Sequence, residues 1–180
     1  MGSEISYGEL FTHIDECVKA LTALNVKQGD IVTVALPSIP EALYMVYALN
    51  KMGAVANMIH PLAGEKELLN YLNEVKSEVA VIFEGTYRII ADSIHTTNVK
   101  KAVVVSAGDS LPFGIKQLYL LKNKLPKFAP DGLFMNWKQF ISLGKGITVT
   151  PVKTSTMFIK DDSNFFISSP PRIFLVCNKC

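Results

Sequence analysis

Residues 26–41 read VKQGDIVTVALPSIPE, and this stretch decides the fold class. Its centre, Ile31–Leu36, is rich in β-branched residues and almost continuously apolar, which is typical of a strand buried on both faces. A turn precedes this strand, and Ser38 and Glu41 after it have the spacing of a helix capping box. Pro40 suits the first turn of a helix because no N–H is needed there. We therefore predict a turn, a buried strand and a helix in this order.

Upstream of this strand, the chain has the pattern of an amphipathic helix. Ser6 and Glu9 are spaced as a capping box, in which each side chain bonds the backbone N–H of the other residue. Apolar residues then recur at alternating steps of four and three, which places them on one helical face. That face comprises Leu10, Ile14, Cys17, Leu21 and Leu24. We predict a helix that begins after Ser6 and ends near Asn25.

Helix and strand continue to alternate downstream. The predicted elements are a helix to about Met52, a strand at Val55–Ile59, a helix at Glu67–Val75, a strand at Val79–Phe83, a helix around Tyr87–Ser93 and a strand at Ala102–Val105. Short strands separated by helices imply parallel pairing through right-handed crossovers. The predicted fold class is therefore α/β, a three-layer open, mainly parallel sheet with flanking helices.

The pattern weakens after Val105. Pro112–Leu125 and Trp137–Leu143 have the character of helices, and the chain from Gly144 onward is irregular. The apolar runs at 165–167 and 173–176 are separated by two prolines, which a central strand does not tolerate.

Composition excludes several classes of protein. The 180 residues suffice for one core, and contents of 49% hydrophobic and 19% charged residues are those of a globular protein. A net charge of +2 gives no reason to expect nucleic acid as a partner. The sequence has no apolar run that spans a bilayer and no signal peptide, so we expect a cytoplasmic protein without a stable membrane span.

The cysteines do not indicate a disulfide framework or a metal site. Cys17 lies on the apolar face of the first helix, where it is expected to be a core residue. Cys177 and Cys180 have C-x-x-C spacing, but no second pair of cysteines or histidines accompanies them. We therefore expect no metal site.

The sequence contains one weak candidate for substrate binding, His60. It precedes Pro61 at the carboxyl end of a predicted strand, where open α/β sheets bind ligands. The competing interpretation is a histidine that only hydrogen-bonds within its loop. The segment 144–146 reads GKG but lacks the spacing of a phosphate loop, so we interpret it as a turn. No catalytic or cofactor-binding residue is predicted.

Five short segments, spread over about a third of the chain, carry a family resemblance. They are ISYGEL at 5–10, VKQGDIV at 26–32, LPSIPE at 36–41, LNKMGAV at 49–55, and IHPL at 59–62 followed by EL at 67–68. Each segment loosely resembles a motif of the adenylate-forming, or AMP-binding, enzymes that include acyl-CoA synthetases, and the segments occur in that family's order. The likeness is greater to fatty-acid and aryl-acid CoA ligases than to peptide-synthetase modules. The resemblance implies the first part of the large N-terminal domain of such a ligase.

The resemblance also implies a chemistry that this chain does not complete. The intact family uses ATP, Mg²⁺ and CoA: a carboxylate attacks the α-phosphate of ATP, and CoA then displaces AMP. A glycine-rich phosphate loop and a lysine of a small C-terminal domain serve the first step in the family. Here the last glycine is Gly146, and Pro170, Pro171 and Arg172 stand where the loop glycines would be. Proline cannot supply the backbone N–H groups that hold a phosphate.

We therefore expect two regions and an inactive polypeptide. Residues 1–162 are interpreted as a partial N-terminal domain, and 163–180 as a divergent, poorly packed tail. One alternative is an accessory subunit, completed by a separate chain that carries the missing remainder of the ligase. Another is a generic nucleotide-binding α/β module, although such a module would need a glycine-rich turn after its first strand, where Leu36, Pro37 and Ser38 stand.

Overall fold

The computed structural model describes residues 5–106 and 132–149, together with the backbone of residues 175–177. The helices are α1 (Tyr7–Ala23), α2 (Pro40–Met52), α3 (Glu65–Glu74), α4 (Glu84–Ile90) and α5 (Trp137–Leu143), with a 3₁₀ turn at Ile94–Thr96. The strands are β1 (Ile31–Ala35), β2 (Val55–Met58), β3 (Val79–Phe83), β4 (Lys101–Val105), β5 (Phe134–Asn136) and β6 (Leu175–Cys177).

The strands form one parallel sheet in the order β5-β4-β3-β1-β2-β6. The prediction of an open parallel α/β sheet is confirmed, and each of its four predicted strands lies within one residue of the predicted ends. From β1 the chain crosses to β2 on one side, then returns past β1 to β3 on the other side. Strand order therefore reverses between β1 and β3.

Helices cover both faces of the sheet. One core lies between the sheet and α1, α2 and α5, where Leu21, Leu49 and Phe140 pack against Val32 and Val34. A second core lies on the opposite face under α3 and α4, and contains Leu68, Leu72, Ile82, Ile90 and Val104. Cys17 is buried in the first core, as predicted.

The start of α1 is a capping box, as predicted. The Glu9 N–H donates to the Ser6 hydroxyl at 3.3 Å, and the Ser6 N–H donates to the Glu9 carboxylate at 2.7 Å. A second box that the sequence interpretation missed caps α5. There the Gln139 N–H donates to Asn136 Oδ1 at 2.8 Å, and the Asn136 N–H donates to Gln139 Oε1 at 2.9 Å.

The capping box predicted at Ser38 is wrong. The N-cap of α2 is Ile39, and its side chain makes no capping hydrogen bond. Pro40 is in the first turn of the helix, as predicted. The helix begins one position later than the capping box requires, so Ser38 is not the N-cap and cannot pair with Glu41. Gly53 ends α2 with a left-handed φ of 72°, a conformation that favours glycine.

Other boundaries differ modestly from the predictions. Helix α3 begins at Glu65 rather than Glu67, and α4 begins at Glu84, directly after β3, rather than near Tyr87. Strand β5 was not predicted, because three residues are too few to show a period. The segment 144–146 is a turn, in which Gly146 has a φ of 85°.

Part of the C-terminal tail forms a strand. The backbone of β6 pairs in parallel with β2, so that Leu175 lies opposite Ala56 and Cys177 opposite Met58. The predicted helix at 112–125, the apolar run at 165–167 and the two prolines at 170–171 lie outside the described residues. Whether the tail is dispensable stays a prediction.

Candidate functional site

The topology points to one edge of the sheet as the candidate site. Open α/β sheets bind ligands outside the carboxyl ends of their strands, at the point where strand order reverses. Here that point lies between β1 and β3. After β1 the chain turns into α2 on one face, and after β3 it turns into α4 on the other. We refer to this side of the sheet as the carboxyl edge.

A buried carboxylate lies at this point. Glu84 is the first residue of α4 and is buried, and its carboxylate accepts a 2.9 Å hydrogen bond from the hydroxyl of Ser106, which follows β4 and is also buried. The pair joins the ends of two neighbouring strands. The Ser106 hydroxyl is not activated as a nucleophile by the Glu84 carboxylate, because a carboxylate is a weak base. Acyl-transfer sites place a stronger base such as histidine beside the attacking hydroxyl. This pair therefore holds the edge together rather than forming an acyl-transfer site.

The loop after β2 carries His60, the residue singled out from the sequence. His60 is exposed, and its Nδ1 accepts a 3.2 Å hydrogen bond from the Leu62 N–H. The Thr86 hydroxyl donates a 2.7 Å hydrogen bond to the Pro61 carbonyl, which fixes this loop against α4. The hydrogen bond at Nδ1 agrees with the interpretation that His60 only hydrogen-bonds within its own loop. Contact between His60 and a substrate stays a prediction.

A second polar pair lies deeper in the sheet and was not found from the sequence. Thr33 and Asn57 are opposite each other on β1 and β2, and both are buried. Asn57 Nδ2 donates a 3.2 Å hydrogen bond to the Thr33 hydroxyl, while within the described residues no donor bonds Asn57 Oδ1. The sequence shows one polar residue inside each of two otherwise apolar strands, which was the available sign of such a pair. That Thr33 and Asn57 contact each other could be recognised only once the order of the strands was known.

Ser77 plays a structural role at the opposite, amino edge of the sheet. Its hydroxyl accepts from the Thr33 N–H at 3.0 Å and lies 2.9 Å from the carbonyl oxygen of Ile31. Ser77, which precedes β3, thus adds side-chain hydrogen bonds to β1 beyond the end of the backbone pairing between β1 and β3. Near this edge lies a shallow cavity of about 380 Å³, lined by exposed Lys27, Asp30, Lys76 and Glu78 among others. Two basic and two acidic side chains line this cavity, so its lining favours neither an anionic nor a cationic ligand.

The described residues offer neither an activated thiol nor a metal centre. Burial raises the pKa of the Cys17 thiol far above its usual range, and the nearby carboxylates of Glu16 and Glu41 act in the same direction. A thiol held neutral in this way is a poor nucleophile. Across 5–106 and 132–149, no three His, Cys, Asp or Glu side chains lie close enough together to hold a metal ion.

Comparison with known protein families identifies the family to which this sheet belongs. The family model of the AMP-binding enzymes matches residues 1–131, which include β1 to β4 together with His60, Glu84 and Ser106. The chain belongs to the AMP-binding enzyme family. The resemblance found in the short sequence motifs is thereby confirmed, and an unrelated nucleotide-binding module is excluded.

Several curated proteins are similar to this family member. Acetyl-coenzyme A synthetase 1 of Candida albicans is 26% identical over 141 residues, which is 72% of this chain and 21% of the relative. The mitochondrial acyl-CoA synthetase short-chain family member 3 of Rattus norvegicus is 34% identical over 77 residues, 43% of this chain and 11% of the relative. The chain thus spans about a fifth or less of the length of these relatives.

A solved structure supports the fold. Coronafacic acid ligase from Pectobacterium brasiliense superposes with a TM-score of 0.61 and 20% identity, covering 85% of this chain and 26% of the ligase. At this identity the likeness establishes the fold alone. In the part of the AMP-binding chain that the structure describes, no helix is both long and apolar enough to cross a membrane.

Proposed function

We propose that this chain forms the first part of the large domain of an AMP-forming acid–CoA ligase and that the 180-residue polypeptide does not form an acyl-adenylate by itself. Membership of the AMP-binding family and the ligase-like fold support the first half of the proposal. One observation carries the second half: residues 147–180 contain no glycine, and prolines stand at 170 and 171. A phosphate loop needs backbone N–H groups that a ligand can approach closely.

The remaining parts of the proposal concern the complete ligase. We propose that it uses ATP, Mg²⁺ and CoA and acts in the cytoplasm, and we propose no nucleic-acid partner. The named relatives act on acetyl and short-chain acyl groups, so we propose a short carboxylic acid as substrate, in place of the fatty or aryl acids that the motifs suggested. If His60 contacts this acid, His60→Ala should raise the KM for the acid in a reconstituted ligase. An unchanged KM would exclude the contact.

Pyrophosphate release tests the inactivity of the polypeptide. The purified chain is incubated with ATP, Mg²⁺, CoA and a panel of acids that begins with acetate and propionate and extends to fatty and aryl acids. The acetyl-coenzyme A synthetase 1 of Candida albicans is the positive control. We expect release no faster than in a blank without protein, and acid-dependent release by the chain would overturn the proposal.

The second candidate function is a subunit of a split ligase. It differs from the first only in requiring a partner chain, and the observation that favours it is the exposure of large apolar side chains near the start of α1.

A further inference from the structure

The loop between β2 and α3 holds an exposed histidine on an anchored backbone. The Ile59 N–H donates to the Val34 carbonyl of β1 at 3.0 Å. The Ala63 N–H donates to the His60 carbonyl, also at 3.0 Å. Ile59 and Ala63 are buried, whereas His60 between them is exposed. The backbone on both sides of His60 is therefore fixed in the fold, while His60 itself faces solvent at the carboxyl edge.

Two hydrogen bonds hold opposite ends of one peptide unit in this loop. The Pro61 carbonyl and the Leu62 N–H belong to the same peptide unit, which is planar. The Thr86 hydroxyl donates to the carbonyl at 2.7 Å, and the N–H donates to His60 Nδ1 at 3.2 Å. Rotation of a planar unit moves both of its ends, so neither bond can be lost by rotation without disturbing the other.

Thr86 is well placed to hold this peptide unit. It lies in the first turn of α4 and is 0% exposed. Because water does not reach a buried hydroxyl, the Pro61 carbonyl has no competitor for this donor. A donor on a carbonyl also polarises the amide, which makes the N–H at its other end a better donor. The Thr86 hydroxyl thus strengthens, through the peptide unit, the hydrogen bond that His60 accepts.

The bond to Nδ1 determines which ring nitrogen of His60 carries the proton. A neutral imidazole has one N–H donor and one acceptor nitrogen. Because Nδ1 accepts the Leu62 N–H, the proton of the neutral ring is on Nε2. The bond within the loop therefore uses only one nitrogen and leaves an N–H donor on the other. His60 can offer this donor to a ligand oxygen, whereas it has no free lone pair with which to act as a base or bind a metal.

We propose that Thr86 is a positioning residue for His60. Through the peptide unit of Pro61 and Leu62, Thr86 holds the imidazole in the Nε2–H tautomer, so that His60 is a hydrogen-bond donor to an acceptor oxygen of a ligand at the carboxyl edge. The proposal rests on the proposed function for its ligand, whose acceptor is an oxygen of the carboxylic acid. The tautomer itself follows from the contacts of the loop.

Nitrogen NMR of the imidazole rings tests the proposal. The 180-residue chain, labelled with nitrogen-15 in its histidines, is measured at about pH 8, where histidine of ordinary pKa is neutral. The two ring nitrogens have widely separated shifts when one tautomer dominates, and the shifts converge when two tautomers exchange. His60→Gln identifies the His60 signals among those of the three histidines. We expect widely separated shifts for His60, with the proton on Nε2.

Three variants separate positioning from a general effect on packing. Thr86→Val removes the hydroxyl at similar size and should make the two ring shifts of His60 converge. Thr86→Ser keeps a hydroxyl and should retain the wild-type separation. Thr97→Val is the matched control, because the Thr97 hydroxyl also donates to a backbone carbonyl at 2.7 Å, that of Ile94 in the 3₁₀ turn. This control should leave the His60 shifts unchanged.

The wild-type spectrum alone can overturn the proposal, by showing the Nδ1–H tautomer or two exchanging tautomers at His60. A folded Thr86→Val chain with unchanged His60 shifts would overturn the role of Thr86. If Thr86→Val does not fold, Thr86→Ser decides, and converged His60 shifts in that variant refute the proposal. Acid-dependent pyrophosphate release by the chain refutes the proposed function and leaves these spectra unaffected, whereas a wild-type Nδ1–H tautomer refutes only the positioning of His60.

Discussion

The Ser106 hydroxyl donates a 2.9 Å hydrogen bond to the Glu84 carboxylate, and both side chains are buried where β4 and β3 end. Twenty-two residues separate the two in the chain, and the pairing of β3 with β4 brings them together. The bond satisfies a buried acceptor at the edge where ligands of open α/β sheets bind. The order of the strands therefore determines which polar side chains meet at the candidate site.

Loss of the Ser106 hydroxyl should destabilise the protein. Ser106→Ala removes the buried hydrogen bond from its hydroxyl to the Glu84 carboxylate, and loss of one such bond costs about 0.5–1.5 kcal/mol. The free energy of unfolding in urea measures this change. Ser142→Ala, at an exposed position on α5, should alter it by less than about 0.5 kcal/mol. Equal effects of the two substitutions would show that the Ser106–Glu84 bond does not stabilise the edge.

The Thr33–Asn57 pair should behave as a coupled unit. Thr33→Val or Asn57→Leu alone leaves a buried polar partner unsatisfied and should cost about 1–3 kcal/mol. The double variant removes both polar groups, so it should cost clearly less than the sum of the single changes. Unfolding of all four proteins in urea gives the coupling energy. Additive effects would contradict the assigned hydrogen bond.

The capping box of α1 should contribute to stability. Ser6→Ala removes the oxygen that accepts the Glu9 N–H and should lower the free energy of unfolding by about 1 kcal/mol. Thr12→Ala, an exposed change in the same helix outside the cap, should be neutral or slightly stabilising because alanine favours helix. If both variants unfold at the wild-type midpoint, the box adds nothing measurable.

The same box should make stability depend on acid. The Ser6 backbone N–H and then its hydroxyl lower the pKa of the Glu9 carboxyl below its usual 4.5. A lowered folded-state pKa gives stability that is present above the unfolded-state pKa and is lost as the pH falls through the folded-state value. The stability difference between the wild type and Glu9→Gln should therefore shrink as the pH falls below 4.5. A constant difference down to about pH 2 would contradict the shift.

The fold was largely predictable because buried parallel strands have a strong local pattern. Val79–Phe83 is a continuous apolar run and Ile31–Ala35 is apolar except for Thr33, and both are bounded by turn residues, so the two strands could be predicted from the local pattern alone. The capping box predicted at Ser38 failed because spacing does not determine which residue is the N-cap. Strand β5 has only three residues, and its pairing with β4 comes from tertiary structure.

The candidate site was much less predictable than the fold. His60 was placed correctly at a carboxyl strand end, because that inference needs only one strand boundary. The Glu84–Ser106 and Thr33–Asn57 pairs each join residues of different strands, so they could not be recognised before the strand order was known. The exposure of Tyr7 was hidden for a similar reason. Its helical spacing matches that of buried Ile14, and only the packed structure separates the two.

The most direct test of the account is ATP–pyrophosphate exchange, which detects acyl-adenylate formation without CoA. The purified 180-residue chain is assayed with ATP, Mg²⁺, labelled pyrophosphate and acetate or propionate, beside the intact acetyl-coenzyme A synthetase 1 of Candida albicans. The account predicts exchange by the intact relative and none above the blank by this chain, because no glycine-rich loop holds the phosphates. Exchange by the chain that requires the acid would contradict the account.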